Sequence, residues 1–183
     1  MKRFIITALL LIISRLYDIT TTYLYIPDLE GELNPLVSIF DFGWLGTLLF
    51  QFTGVSFLIY TNFIYHFREI KTISFSSDIS LKQFVSVFHF NTPNSFNKLF
   101  YKLPTNKNSL IYSLGAIVPK GLIIFSFIVG TSTTMLLLSE EYQLYYKKLY
   151  LPYVLIFISL AIMIFLAINF YKQERVKHSK SLP

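Results

Sequence analysis

The chain has 183 residues, 54% of them hydrophobic and only 14% charged, and its mean hydropathy is +0.54. Soluble domains carry about a quarter charged residues, so this composition excludes an ordinary water-soluble domain. The net charge of +6 lies mainly in short stretches beside apolar runs, where anionic lipid headgroups account for it without nucleic acid as a partner. The absence of cysteine excludes disulfides, thiolate catalysis, cysteine-ligated metals and thiol-linked lipid anchors.

The first element is an apolar run beginning at Phe4 behind Lys2 and Arg3. It resembles a signal peptide, but Arg15 and Asp18 follow the run and no site of small residues offers cleavage, so an uncleaved span over 4–25 is expected. A short acidic loop with Asp28, Glu30 and Glu32 leads to Pro35, whose missing N–H suits a first helical turn. The second span is expected over 35–66, the third over 110–138 with Pro119 and Gly130 as bends, and the fourth over 149–171, with a basic tail over 172–183. Lipid offers no partners to backbone groups, so these spans must be helices. The expected fold is an all-α membrane protein with four transmembrane helices, and the 19 Phe and 13 Tyr residues suit contact with lipid chains and headgroups.

Lys and Arg set the orientation. Lys2 and Arg3 precede the first span, Arg68, Lys71, Lys82, Lys98, Lys102 and Lys107 separate the second from the third, and Lys172, Arg175, Lys177 and Lys180 follow the fourth. The positive-inside rule then assigns the chain to the plasma (inner) membrane with both termini and the middle segment, 67–109, in the cytoplasm. That segment holds two apolar stripes at helical spacing, Leu81, Phe84, Val85, Phe88 and Phe96, Leu99, Phe100, Leu103, separated by a turn at Thr92-Pro93-Asn94. Ser77 or Asp78 would cap the first. Two short amphipathic helices lying on the inner leaflet are expected, and the same surface is the candidate for docking a membrane-protein partner.

Charged groups at membrane depth are costly and mark functional candidates: Arg15, Asp18, Asp41 and Lys120. Asp18 and Asp41 each sit about 10 Å inside the outer ends of the first two expected helices, at about 1.5 Å per residue. Arg15 is three residues from Asp18 and so shares its face, which Thr21 and Thr22 extend outward. With Glu32 and Asn34 brought down by the loop, these residues would form a polar funnel able to hold a cation, pass a proton or perform acid–base work. A purely structural reading stands beside it, in which Arg15 and Asp18 satisfy one another and Asp41 faces water. Lys120 is expected to snorkel to the inner headgroups. Gln51, Asn62 and Asn169 are expected to bond between helices, and Thr131, Ser132, Thr133 and Thr134 to permit close packing.

Asp18-Ile19-Thr20-Thr21, followed by Glu32-Leu33-Asn34-Pro35, resembles a pattern in small multi-pass membrane proteins of the domain-of-unknown-function 5658 type. The resemblance covers the first fifth of the chain. It maps Asp18, Thr21, Glu32, Asn34 and Pro35 onto family positions and implies a membrane protein whose polar residues gather at one end, with no activity attached.

No phosphate-binding glycine loop, nucleophile elbow or zinc-protease motif occurs, His66, His89 and His178 are not paired at ligand spacing, and no cofactor or metal is expected. The leading expectation is an interaction subunit or an assembly or protective factor of a membrane system. The alternative is a membrane enzyme or an ion- or proton-coupled transporter using the carboxylates near the outer leaflet. A pore-former lined by the third span ranks behind both, and oligomeric state stays open.

Overall fold

The computed structural model describes residues 1–29, 37, 40–68 and 79–179. Glu30, Glu32, Asn34, Pro35, Ser77, Asp78 and the end of the tail lie outside the described residues, and so does the loop half of the family resemblance. Among the described residues the chain is helical: α1 (Lys2–Tyr25), α2 (Trp44–Phe67), α3 (Leu81–Phe90), a 3-10 turn (Phe96–Phe100), α4 (Lys107–Leu138), α5 (Glu140–Lys148) and α6 (Leu151–Ser179). Four of them, α1, α2, α4 and α6, are long and apolar enough to cross a bilayer.

The longest helix, α4, is the post against which the others stand, with α1 and α2 packing most extensively on it and α6 less so. Helix α1 buries Leu11, Ser14, Arg15, Asp18 and Thr21 and exposes Ile5, Leu9, Ile13 and Leu16. Polar groups thus face protein and apolar groups face outward, the inverse of a soluble helix and the arrangement lipid demands. Small residues permit the close crossings. A Cβ on Gly115 would lie 2.0 Å from the Thr61 carbonyl oxygen of α2, and one on Gly130 would lie 2.7 Å from the Tyr17 ring of α1. Asn62 donates across the α2–α4 crossing to the Gly115 carbonyl at 2.8 Å, an interhelical bond of the expected kind. Pro119 lies inside an unbroken α4.

The second helix differs from expectation. It begins at Trp44, and Asp41 lies before it with a φ of 55°, exposed, its N–H bonded to the Val37 carbonyl. The left-handed Asp41 and the Gly43 N-cap interrupt the helical path within an apolar stretch that hydropathy alone reads as continuous. Tyr23 and Trp44 meet edge to face and the Trp44 indole donates to the Pro27 carbonyl, joining the first connection to the start of α2.

The middle segment also differs. Helix α3 is capped by Ser80, whose side chain accepts from Gln83 while Gln83 reaches back to the Ser80 N–H, a capping box two and three positions past Asp78 and Ser77. Its apolar face does not remain free. Phe84 and Phe88 are fully buried among Tyr112, Ala116, Ile117 and Phe170, which form the main apolar core. The second stripe is a single 3-10 turn, after which Pro104 disfavours further helix, and it leaves Phe100, Tyr101 and Leu103 exposed. Helix α6 outruns the expected 171 to Ser179, because Glu174 and His178 on one face of the basic stretch are buried and Arg175 reaches the Ile79 carbonyl. Helix α5 was not foreseen. Ser139 caps it, and its acidic first turn and basic last turn suit the helix dipole.

Candidate functional site

Arg15 is the centre of the polar contacts at membrane depth. It projects from α1 with 9% of its surface exposed, and its Nη1 donates to Asp18 Oδ2 at 2.6 Å and to Ser126 Oγ of α4 at 2.8 Å. Its Nε donates to Gln51 Oε1 of α2 at 2.9 Å, and Nη2 turns to the same oxygen. One guanidinium thereby ties three helices together, through the fork of donors that lysine lacks. The spacing of three between Arg15 and Asp18 places the pair on one face, as expected.

Beside this pair lies a cavity of about 370 Å³, walled by α1, α2, α4, α5 and α6. Arg15, Asp18, Thr22, Thr47, Gln51 and Ser132 bring polar groups to its wall, and Trp44, Tyr146 and Pro152 flank its end. Asp18 and Arg15 supply the charged groups among the lining residues, and they offset one another. Thr47 is 5% exposed, and its hydroxyl has no hydrogen-bond partner among the described residues. A buried hydroxyl left unpaired costs free energy, so this group favours a polar occupant.

The sequence-predicted site is only partly assembled. Arg15 and Asp18 meet at the cavity. Thr21 is buried but bonds back to the Tyr17 and Asp18 carbonyls, and Thr22, one residue on, reaches the wall in its place. Asp41 is exposed in the turn before α2 and does not line the cavity, which corrects the expectation of two carboxylates at equal depth. Glu32 and Asn34 lie outside the described residues. Lys120 is exposed, with its ammonium 5.8 Å from the centre of the Tyr65 ring. Thr47 and Gln51, one turn apart on α2, form a polar stripe that sequence reasoning could have paired with Arg15, whereas nothing in the sequence distinguishes Ser126 from other serines.

No family model, curated protein or solved structure matches this chain. The cavity is therefore read from its own chemistry.

A second polar group, at the opposite end of the bundle, centres on Glu174, in a stretch whose composition reads as a basic tail. Glu174 is 6% exposed and accepts from the Tyr112 hydroxyl at 3.4 Å, with Lys177 and His178 within 3.8 Å and 3.7 Å. Nearby, His89 Nε2 and the Tyr171 hydroxyl are 2.7 Å apart, and burial pushes the His89 imidazole down to about 4. These contacts join α3, α4 and α6. Among the described residues no group of three metal-ligating side chains comes together.

Proposed function

We propose that this chain is a multi-pass protein of the plasma (inner) membrane that works by binding, with the cavity at Arg15 and Asp18 as its recognition site. The observation that carries the reading is the cavity itself: a space of about 370 Å³ bearing an ion pair of no net charge and a Thr47 hydroxyl with no partner among the described residues. It gives a binding site to the interaction-type role expected from the sequence, in which the chain serves as a subunit or as an assembly or protective factor.

The orientation follows from charge. Phe4 of α1 touches Phe67 of α2, and Tyr112 of α4 touches Phe170 of α6, so one end of the bundle gathers the start of α1, the end of α2, the start of α4 and the last turns of α6. That end carries Lys2, Arg3, Arg68, Lys82, Lys98, Lys102, Lys107, Lys172, Arg175 and Lys177, which assigns it to the cytoplasm together with both termini and α3. The cavity then opens toward the outer leaflet. The resemblance to proteins of the domain-of-unknown-function 5658 type agrees with a polar cluster at that end.

Native mass spectrometry on protein extracted in membrane discs tests the reading. The wild type is expected to carry a bound small molecule that Thr47→Leu, which fills the cavity wall, loses while keeping its thermal stability. Identical spectra for the two proteins would overturn it.

A further inference from the structure

A second hollow adjoins the cavity. It is an apolar groove of about 290 Å³ between α4 and α6, with Gly121, Leu122, Phe125, Ile156, Leu160 and Met163 on its walls. Phe125 and Ile156 belong to both linings, so the polar cavity and the apolar groove adjoin at these two side chains. Gly121 keeps the groove deep, since a Cβ there would meet the Met163 sulfur. From Pro152 at the cavity to Met163 at the far end of the groove is eleven residues of α6, or roughly 16 Å along the axis. A bilayer's hydrocarbon core is about 30 Å thick, so this length corresponds to one leaflet.

We propose that the occupant is a membrane lipid with a zwitterionic headgroup, its polar part in the cavity beside Arg15, Asp18 and Thr47 and one acyl chain in the groove between α4 and α6. The proposal deepens the binding reading above and rests on it. Four features select this chemistry. The polar end of the hollow lies toward the outer end of the helices and the apolar end toward their middle, as in a lipid of the outer leaflet. Among the described residues the lining charges sum to zero, which matches a headgroup of zero net charge and disfavours an anionic one. Arg15 keeps one N–H, on Nη2, beyond its bonds to Asp18, Ser126 and Gln51, for a phosphate oxygen, and the Asp18 carboxylate can accept from an ammonium. The Thr47 hydroxyl, without a partner among the described residues, bonds to the headgroup.

The test reconstitutes the full chain in nanodiscs of equimolar phosphatidylethanolamine and phosphatidylglycerol and counts lipids retained after release by native mass spectrometry. Phosphatidylethanolamine is expected to be enriched several-fold among the retained lipids, and both Thr47→Leu and Ser159→Phe, which obstructs the groove from α6, are expected to abolish the enrichment. Trp44, the single tryptophan, lines the cavity and gives a second readout. Its fluorescence should be quenched by phosphatidylethanolamine brominated near the glycerol end of the chain, and this quenching should fall in Ser159→Phe. Retention of both lipids in equal amounts, or of phosphatidylglycerol, would overturn the headgroup assignment. A molecule carried from native membranes that Thr47→Leu loses but Ser159→Phe keeps would overturn the lipid and leave the binding site standing. A change of oligomeric state in Ser159→Phe with no change in retained lipid would make the groove a protein–protein face and overturn the proposal.

Discussion

Pro119 has no N–H, so the Gly115 carbonyl four residues earlier loses its helical donor in the middle of α4. Asn62 of α2 supplies the replacement, with its side-chain amide 2.8 Å from that oxygen at a site where Asn62 is 1% exposed. The close approach needed for this bond depends on Gly115, which carries no Cβ to strike the Thr61 backbone. Asn62→Ala should therefore leave a buried carbonyl unpaired and cost about 2 kcal/mol, near the upper range for interhelical bonds in membranes. In a Pro119→Ala background the restored N–H of residue 119 can serve the carbonyl, and the same Asn62→Ala change should cost about 1 kcal/mol less. Unfolding of the four variants by SDS titration in mixed micelles, followed by helical circular dichroism, measures the cycle. The cavity left by the shortened side chain is common to both backgrounds and cancels. Costs equal within about 0.3 kcal/mol in the two backgrounds, the ordinary limit of additivity, would refute the substitution of one donor for the other.

Three further outcomes are expected. Asp18→Asn or Arg15→Met alone should each destabilise the chain by about 3 kcal/mol, and Arg15→Met with Asp18→Leu by less than the sum, because a lone buried charge costs more than a missing pair; SDS unfolding checks this, and strict additivity would contradict it. The His89 imidazole titrates at about 4 when folded and at about 6.5 when unfolded, so the unfolded chain takes up its proton first. Stability from this group is complete above about pH 6.5 and should fall by about 3 kcal/mol as pH drops toward 4, a slope that His89→Gln should remove from the pH profile of unfolding. Because the chain has no native cysteine, single cysteines report sidedness directly: at Lys107 an impermeant maleimide should react from the cytoplasmic face, and at Glu141 from the outer face.

The features legible along the chain are those governed by local chemistry. Four apolar runs of spanning length appear as α1, α2, α4 and α6, because the need to satisfy every backbone group in lipid makes each run helical whatever its neighbours. Arg15 and Asp18 were legible as a pair for the same reason, since a spacing of three on one helix needs no tertiary information. Tertiary structure decided everything that depends on what lies across a helix crossing. It set Asp41 before α2 and off the cavity wall through a left-handed backbone position inside an apolar stretch, and it brought Gln51 and Ser126 to Arg15. It folded the Phe84 and Phe88 face against Tyr112 and Phe170, where periodicity gave an apolar face but no destination, and it buried Glu174 in a stretch that composition reads as a solvated tail. Hydropathy and helical spacing measure distances along a chain, whereas a cavity is a relation among helices, set by which small residues let their backbones meet.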